Sequence, residues 1–498
     1  MRQCMCVSIV LLAGLAWPCT LFGAETLACF NRGELGSCSE RALEHVGFKS
    51  VVLQFVDPAD TDLGEGLARL LWREILESIS DLPDAGVILA YDRSGEIENA
   101  LGEEDLGVFL QREYHDAARS IAAQQGAQMS IWGAVLPDGD ELFVQTFLTL
   151  RQSADDPWTT LSLAMERPGE VHLSAVLGRD RINLPPVRGT RSDLFERRFY
   201  TRCALRSGCP AGVALRDRPS NEADIVAHLP SGSSVDVVDM RRQWLRVRAA
   251  GEGEGRELWI NLYHVDMLAQ HVEYVSRNNV NLRDGPGGDR LRSVDLNGQF
   301  HVLGAVRHGR WEEPWYKIEV DDGVQGWVDG RLVNRRSYMF SGVHLIAGLY
   351  RYGRGQYSKA AAEFEAFLAT APEDDNVTRA ATLKFLAASR LAGESTGSTR
   401  LEAAVEDLDT AAELTPFDAS VYTLRALVLA GKQRQLEPAL GDLKHALELN
   451  RRDAGALRLL RSMSAASDQV GLHVFALGQD VEPLELELES LEQAYLRD

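Results

Sequence analysis

Val280-Asn281-Leu282-Arg283-Asp284-Gly285-Pro286-Gly287 opens a segment that continues with Trp315-Tyr316-Lys317-Ile318 and closes with Gly326-Trp327-Val328. The same order occurs once before, as Val213-Ala214-Leu215-Arg216-Asp217-Arg218-Pro219, then Trp244-Leu245-Arg246-Val247, then Leu258-Trp259-Ile260. Leu215 to Trp259 spans 44 residues and Leu282 to Trp327 spans 45, so the two copies keep one internal ruler. A tandem of small β-barrels is expected, one over residues 200–268 and one over 272–338.

These motifs resemble the bacterial SH3 (SH3b) family, whose copies open V-N-V-R-x-G-P-G, continue W-Y-K-V and end G-W-V. The resemblance implies a binding module for peptidoglycan or peptide. The first copy departs from it, with Arg218-Pro219-Ser220 where the family has Gly-Pro-Gly. Trp244, Trp259 and Trp327 fall on strand-like apolar runs and are expected in the cores. Trp311, Trp315 and Tyr316 flank the insertion Glu312-Glu313-Pro314 and, with Arg283, are the candidate ligand-binding residues.

Around this pair the chain is long for one core: 498 residues, 45% hydrophobic and 25% charged, are the figures of a multidomain globular protein. Residues 1–24 read as a cleaved signal peptide. Arg2 starts it, Val7 to Trp17 is its apolar stretch, and Gly23-Ala24 is its cleavage point. A lipid on Cys19 is the rival reading, disfavoured by Pro18. No later segment has the length and apolarity of a membrane span, so a periplasmic or otherwise exported protein is expected. In that compartment Cys29–Cys38 and Cys203–Cys209 read as disulfides, because their spacings suit zinc poorly. Charge is uneven: residues 25–190 carry a net −15, residues 191–340 a net +1 and residues 341–498 a net −8. The flanking segments should therefore repel nucleic acid and anionic lipid.

Residues 25–190 alternate strand and helix patterns: Ser50 to Val56, a Leu-rich helix from Leu63 to Ile75, Gly86 to Tyr91, and a helix to Gln124. Ser130 to Val135, Glu141 to Leu150 and Trp158 to Met165 follow as strands. The order predicts an α/β domain with a mixed sheet. It resembles the amino-terminal domain of TolB-like periplasmic proteins in Val51-Val52-Leu53-Gln54-Phe55, in Gly66 with its Leu-rich helix, and in Gly126-Ala127-Gln128 leading into Ile131-Trp132-Gly133. Gln54 stands where that family has proline. Residues 181–200, with Pro185 and Pro186, read as a linker.

Residues 341–465 are alanine-rich and helical. Gly348, Gly355, Tyr357, Ala360, Phe364 and Pro372 resemble a tetratricopeptide (TPR) repeat, echoed by Ala404, Ala411 and Pro416 and by Ala439 and Ala446. The resemblance implies an all-α superhelix that docks an envelope protein or peptide in a groove. Residues 466–498 are an acidic tail in which Leu484, Leu488, Leu491 and Tyr495 suggest a last helix. Few core contacts are expected to cross residues 190 and 340.

Catalytic signals are poor. Gly393-Glu394-Ser395-Thr396-Gly397 matches G-x-S-x-G but lies between expected helices, not after a strand. Gly251, Gly253 and Gly255 have acidic neighbours unsuited to phosphate. Asp57, Asp60 and Asp62 read as a solvated turn and not a calcium loop, and His115-Asp116 as a helix surface pair. The expectation is a non-catalytic binding protein with no cofactor, no metal and no nucleic-acid partner. The alternative is a cell-wall hydrolase, an amidase or peptidase, that such barrels target to its substrate.

Overall fold

In a computed structural model the described residues are 28–31, 34–37, 47–58, 63–79, 82, 85–90, 112–151, 160–164, 172–176, 181–191, 194, 198–201, 211–230, 233–249, 256–267, 271–274, 280–294, 299–306, 315–320, 323–329, 333–335, 340–392, 398–430, 435–470, 490–491 and 493–495. The expected signal peptide, Cys38, Cys203, Cys209, Trp311 and the G-x-S-x-G stretch lie outside them.

The chain begins with a hairpin of β1 (Ala28–Asn31) and β2 (Glu34–Ser37). The α/β domain follows as β3 (Phe48–Leu53), α1 (Gly64–Ser78), β4 (Ala85–Ala90), α2 (Arg112–Gln124), β5 (Met129–Asp138) and β6 (Glu141–Leu150). Strand β3 lies between β4 and β5, parallel to both, and β5 turns antiparallel into β6 through Gly139, whose φ of +63° suits glycine. Strand parity divides two cores. Val51 and Leu53 join Tyr114, Ile121 and Trp132 on the α2 side, whereas Phe48, Val52 and Phe55 join Leu67, Leu71 and Ile75 on the α1 side.

Three expectations need correcting in this region. The segment expected as linker supplies β9 (Arg181–Asn183) and β10 (Val187–Gly189), both paired with β6. Pro185 and Pro186 fall between them, where no ladder donor is needed. The strand expected over Trp158 to Met165 does not join this sheet. It forms β7 (Thr160–Ala164), whose partner is β8 (His172–Val176). His115 is buried and not on the surface: its Nδ1 lies 2.7 Å from Thr149 Oγ1, which also accepts from Trp132 Nε1 at 3.1 Å.

The first copy comprises β11 (Arg198–Thr201), β12 (Val213–Arg216), β13 (Ile225–Leu229), β14 (Ser234–Arg241), β15 (Trp244–Ala249), β16 (Glu257–Asn261) and β17 (Val265–Met267). The second comprises β18 (His271–Tyr274), β19 (Val280–Arg283), β20 (Arg290–Val294), β21 (Gln299–Val306), β22 (Trp315–Glu319), β23 (Gln325–Asp329) and β24 (Val333–Arg335). Their seven-stranded sheets run β13-β12-β16-β15-β14-β11-β17 and β20-β19-β23-β22-β21-β18-β24, one topology used twice. Even the irregularities repeat, with register shifts at Leu215/Arg216 and Leu282/Arg283 and at Val237/Asp239 and Val302/Gly304.

The helical region is α3 (Gly342–Gly353), α4 (Tyr357–Thr370), α5 (Asn376–Ala392), α6 (Ser398–Leu414), α7 (Ala419–Val428), α8 (Leu436–Leu449) and α9 (Ala454–Val470). Consecutive helices pack as stacked hairpins. Ala360, Phe364 and Phe367 of α4 recur as Ala404, Leu408 and Ala411 of α6 and as Ala439, Leu443 and Ala446 of α8, all fully buried. Gly348 is required by close approach, since a Cβ there would strike the Phe364 ring, and Gly355 by its φ of +72°. Tyr357 is half-buried and meets Tyr352 edge-on at 5.5 Å. Pro372 and Pro416 are exposed, ending helices and not packing.

The expectation that few core contacts cross residues 190 and 340 is overturned. One buried core runs through the α1 face of the α/β domain, the first copy and the helices. Tyr350 of α3 reaches the sheet, its hydroxyl 2.5 Å from Ser50 Oγ and donating to Gly86 O at 2.7 Å, with its ring 4.7 Å from Phe48. Arg351 donates to Ser78 O, and Thr378 of α5 to Asn183 O. Strand β8 lies along α7 and α9. From the first copy, Met240 packs on Gly66 of α1, and Leu262 O accepts from Arg73 at 2.5 Å.

Candidate functional site

The second copy carries a sheet face of half-exposed aromatic and charged side chains. Its described buried side chains, Val280, Leu282, Tyr316, Ile318, Val320 and Val328, do not join the shared core. In β22, Tyr316 and Ile318 point inward, while Trp315, Lys317 and Glu319 point outward and are half-exposed. In β23, Gly326 and Val328 are buried, whereas Trp327 lies outward between exposed Gln325 and half-buried Asp329.

Three aromatic assignments therefore change. Tyr316 is 2% exposed and belongs to the core, where the first copy has Leu245. Trp327, and Trp259 at the same place in the first copy, are half-exposed; of the three tryptophans expected in the cores, only Trp244 is buried. Parity carried this signal. Tyr316 is in phase with apolar Ile318, and Trp327 is in phase with polar Gln325 and Asp329.

Cross-strand register sets Lys317 opposite Trp327, and Arg283 opposite Trp327 from the other side. The outer face thus carries a cation–tryptophan–cation row, with Trp315 one row away opposite Asp329. Arg283 also shapes the opening loop: its Nη1 donates to Gly288 O at 2.6 Å, closing a turn in which Gly287 has a φ of +68°. Arg216 does the same in the first copy, donating to Ala223 O at 2.5 Å. Arg283 is therefore first a brace of the loop.

The equivalent row of the first copy is Arg216–Trp259–Arg246, and its electrostatics differ. Arg246 lies 3.2 Å from Asp239 Oδ2 and 3.2 Å from Glu257 Oε2, and its guanidinium carbon is 6.0 Å from the Trp259 ring centre. Asp239 is also held by Arg191 Nε at 2.5 Å. At the register positions of Asp239 and Glu257 the second copy has Gly304 and Gln325. Gln325 donates to Glu319 at 2.8 Å, and Lys317 makes no ion pair among the described residues.

Other expected sites stand as follows. Cys29 sits in β1 with Gly36 as its register partner, and the other three cysteines lie outside the described residues. Helices α5 and α6 flank residues 393–397 on both sides, so the strand that a nucleophile elbow requires is absent there. Asp57 accepts from the backbone of Leu63 and Gly64 at 3.2 Å, capping α1. No cluster of metal-ligating side chains occurs among the described residues. Nor, among them, is any helix long and apolar enough to cross a membrane.

Residues 210–261 and 278–334 each match the bacterial SH3 domain. No curated protein matches the chain. Among solved structures, the first TPR of Spaghetti (RPAP3) bound to an HSP90 peptide overlaps weakly, at 21% identity over 26% of this chain and 94% of that one, with a TM-score of 0.22. NlpC1 and NlpC2 of Trichomonas vaginalis overlap at 15% and 13% identity, each over 28% of this chain, with TM-scores of 0.13. This chain spans 45% and 47% of those two.

Proposed function

We propose that the protein is a non-catalytic, exported scaffold of the bacterial cell envelope that binds peptidoglycan through the outer face of its second SH3 domain. Two bacterial SH3 domains indicate an envelope or peptidoglycan-binding role. The observation that carries the reading is the half-exposed Trp327, flanked by Lys317 and Arg283 with Trp315 beside it, on the copy outside the shared core. Aromatic faces of this kind stack on sugar rings or on peptide.

The helical array reads as a short tetratricopeptide superhelix on its repeated Ala-Phe/Leu-Phe/Ala packing, and the α/β domain as TolB-like on its strand order. A partner groove along the first helix of each hairpin is not favoured. Those helices, α3, α5, α7 and α9, carry the contacts to the α/β domain and to β8.

Co-sedimentation of the full chain with purified murein sacculi tests this function. The protein should pellet with the sacculi and release no soluble fragments from them. Fragment release would favour the hydrolase instead, and failure to pellet would remove the proposed ligand.

A further inference from the structure

The two SH3 copies solve one electrostatic problem differently. Each places a cation of its middle motif beside an outward tryptophan of its closing motif: Arg246 beside Trp259, and Lys317 beside Trp327. A cation half-withdrawn from water against an aromatic face is best placed with a carboxylate as hydrogen-bonding counter-ion. The first copy supplies two from its own chain, Asp239 and Glu257, each 3.2 Å from Arg246.

The second copy keeps the cation and the tryptophan but has Gly304 and Gln325 at those two positions. Glu319, the neighbouring acid on the same strand, accepts from Gln325 at 2.8 Å. Gly304 has no side chain to set opposite Lys317, whereas the first copy sets the Asp239 carboxylate opposite its cation.

We propose that the second copy takes a carboxylate-bearing murein peptide, whose carboxylate occupies beside Lys317 the place that Asp239 occupies beside Arg246, while its apolar part lies on Trp327. This rests on the outer face being the peptidoglycan-binding face. It adds which part of the polymer is read and by which charge. The first copy, with its cation already neutralised, should not compete for the same group.

The test uses the full chain, a soluble murein stem peptide with free carboxylates, and the same peptide with those carboxylates amidated. The acid should bind at least about tenfold more tightly than the amide, the worth of one charge-assisted hydrogen bond. That preference should shrink as salt rises. Lys317→Gln should abolish it by removing the cation, and Gln325→Glu by restoring an internal counter-ion. Circular dichroism checks that both variants fold.

Equal affinity for acid and amide, or a preference that survives both substitutions, would overturn the carboxylate assignment. Sacculus binding would then persist and leave the broader function standing. Loss of sacculus binding in Trp327→Ala with none in Lys317→Gln would likewise confine recognition to stacking. Failure of the unsubstituted chain to bind sacculi at all would instead remove the function on which the inference depends.

Discussion

The two SH3 copies share strand order, register and even the sites of their bulges, yet among the described residues only the first joins the core shared with the α/β domain and the helices. The first copy presses Met240 onto Gly66 and Tyr263 onto Arg69, and its Val235, Leu245 and Ile260 belong to the core shared with the α/β domain and the helices. Its outward arginine is neutralised by its own acids. In the second copy the described buried residues stay outside that core, and the equivalent lysine lacks those acids. Duplication has thus left one copy built into the shared core and one whose described buried residues lie outside it.

The largest expected effect separates the shared core from the second copy. Tyr350→Ala removes a fully buried ring packed on Phe48 and the donor to Gly86 O. A loss of about 3–5 kcal/mol is expected. Calorimetry of the full chain should show one transition falling by several degrees while a second, assigned to the second copy, stays put. Tyr316→Ala should do the reverse. If either substitution lowers both transitions together, the two copies are not energetically separate.

A smaller effect concerns recognition. Trp327→Ala should weaken binding to sacculi more than tenfold, because a buried aromatic contact at a binding hot spot is worth about 2 kcal/mol or more. Trp259→Ala, at the same place in the first copy, should change binding by less than twofold. Trp315→Ala should fall between them, since Trp315 lies one row from the cation pair. Comparable losses from Trp259→Ala and Trp327→Ala, measured by quantitative co-sedimentation, would make the copies equivalent after all.

The duplicated strands were legible because Val-Asn-Leu-Arg, Trp-Tyr-Lys-Ile and Gly-Trp-Val name their own strands and turns at a fixed spacing. The helical hairpins were legible because Ala360, Ala404 and Ala439 repeat with their i+4 and i+7 partners. Which aromatics point outward was half legible: parity with Ile318 buries Tyr316, although adjacency to polar Glu312 and Glu313 suggested exposure. The fusion of three units into one core was not legible. It depends on residues without a local signature, such as Gly66 admitting Met240, Gly353 admitting Phe48 and Leu184 meeting Gly342. Such contacts join residues distant in sequence, and no short-range pattern records them.

The smallest effect compares two rungs of one ladder inside the helical array. Arg425 of α7 grips Asp442 of α8 through two hydrogen bonds of 2.7 and 2.6 Å and reaches Asp409 of α6 at 2.6 Å. Arg390 of α5 offers Asp407 of α6 a single bond of 2.7 Å, and its other arm goes to Glu365 of α4 at 2.9 Å. Burial, only partly offset by Arg390, pushes the Asp407 carboxyl up to about 7. A carboxyl raised in the folded state favours folding most below its unfolded value near 4, and that contribution is lost as pH rises through about 7. The shared-core transition should therefore lose about 1–2 kcal/mol from this group between pH 4 and 8. Asp407→Asn should remove that share of the pH dependence and be the more stable form at pH 8. If the unsubstituted chain instead gains stability over this interval relative to Asp407→Asn, the ion pair with Arg390 outweighs burial, and the Arg390 rung behaves as the Arg425 rung does.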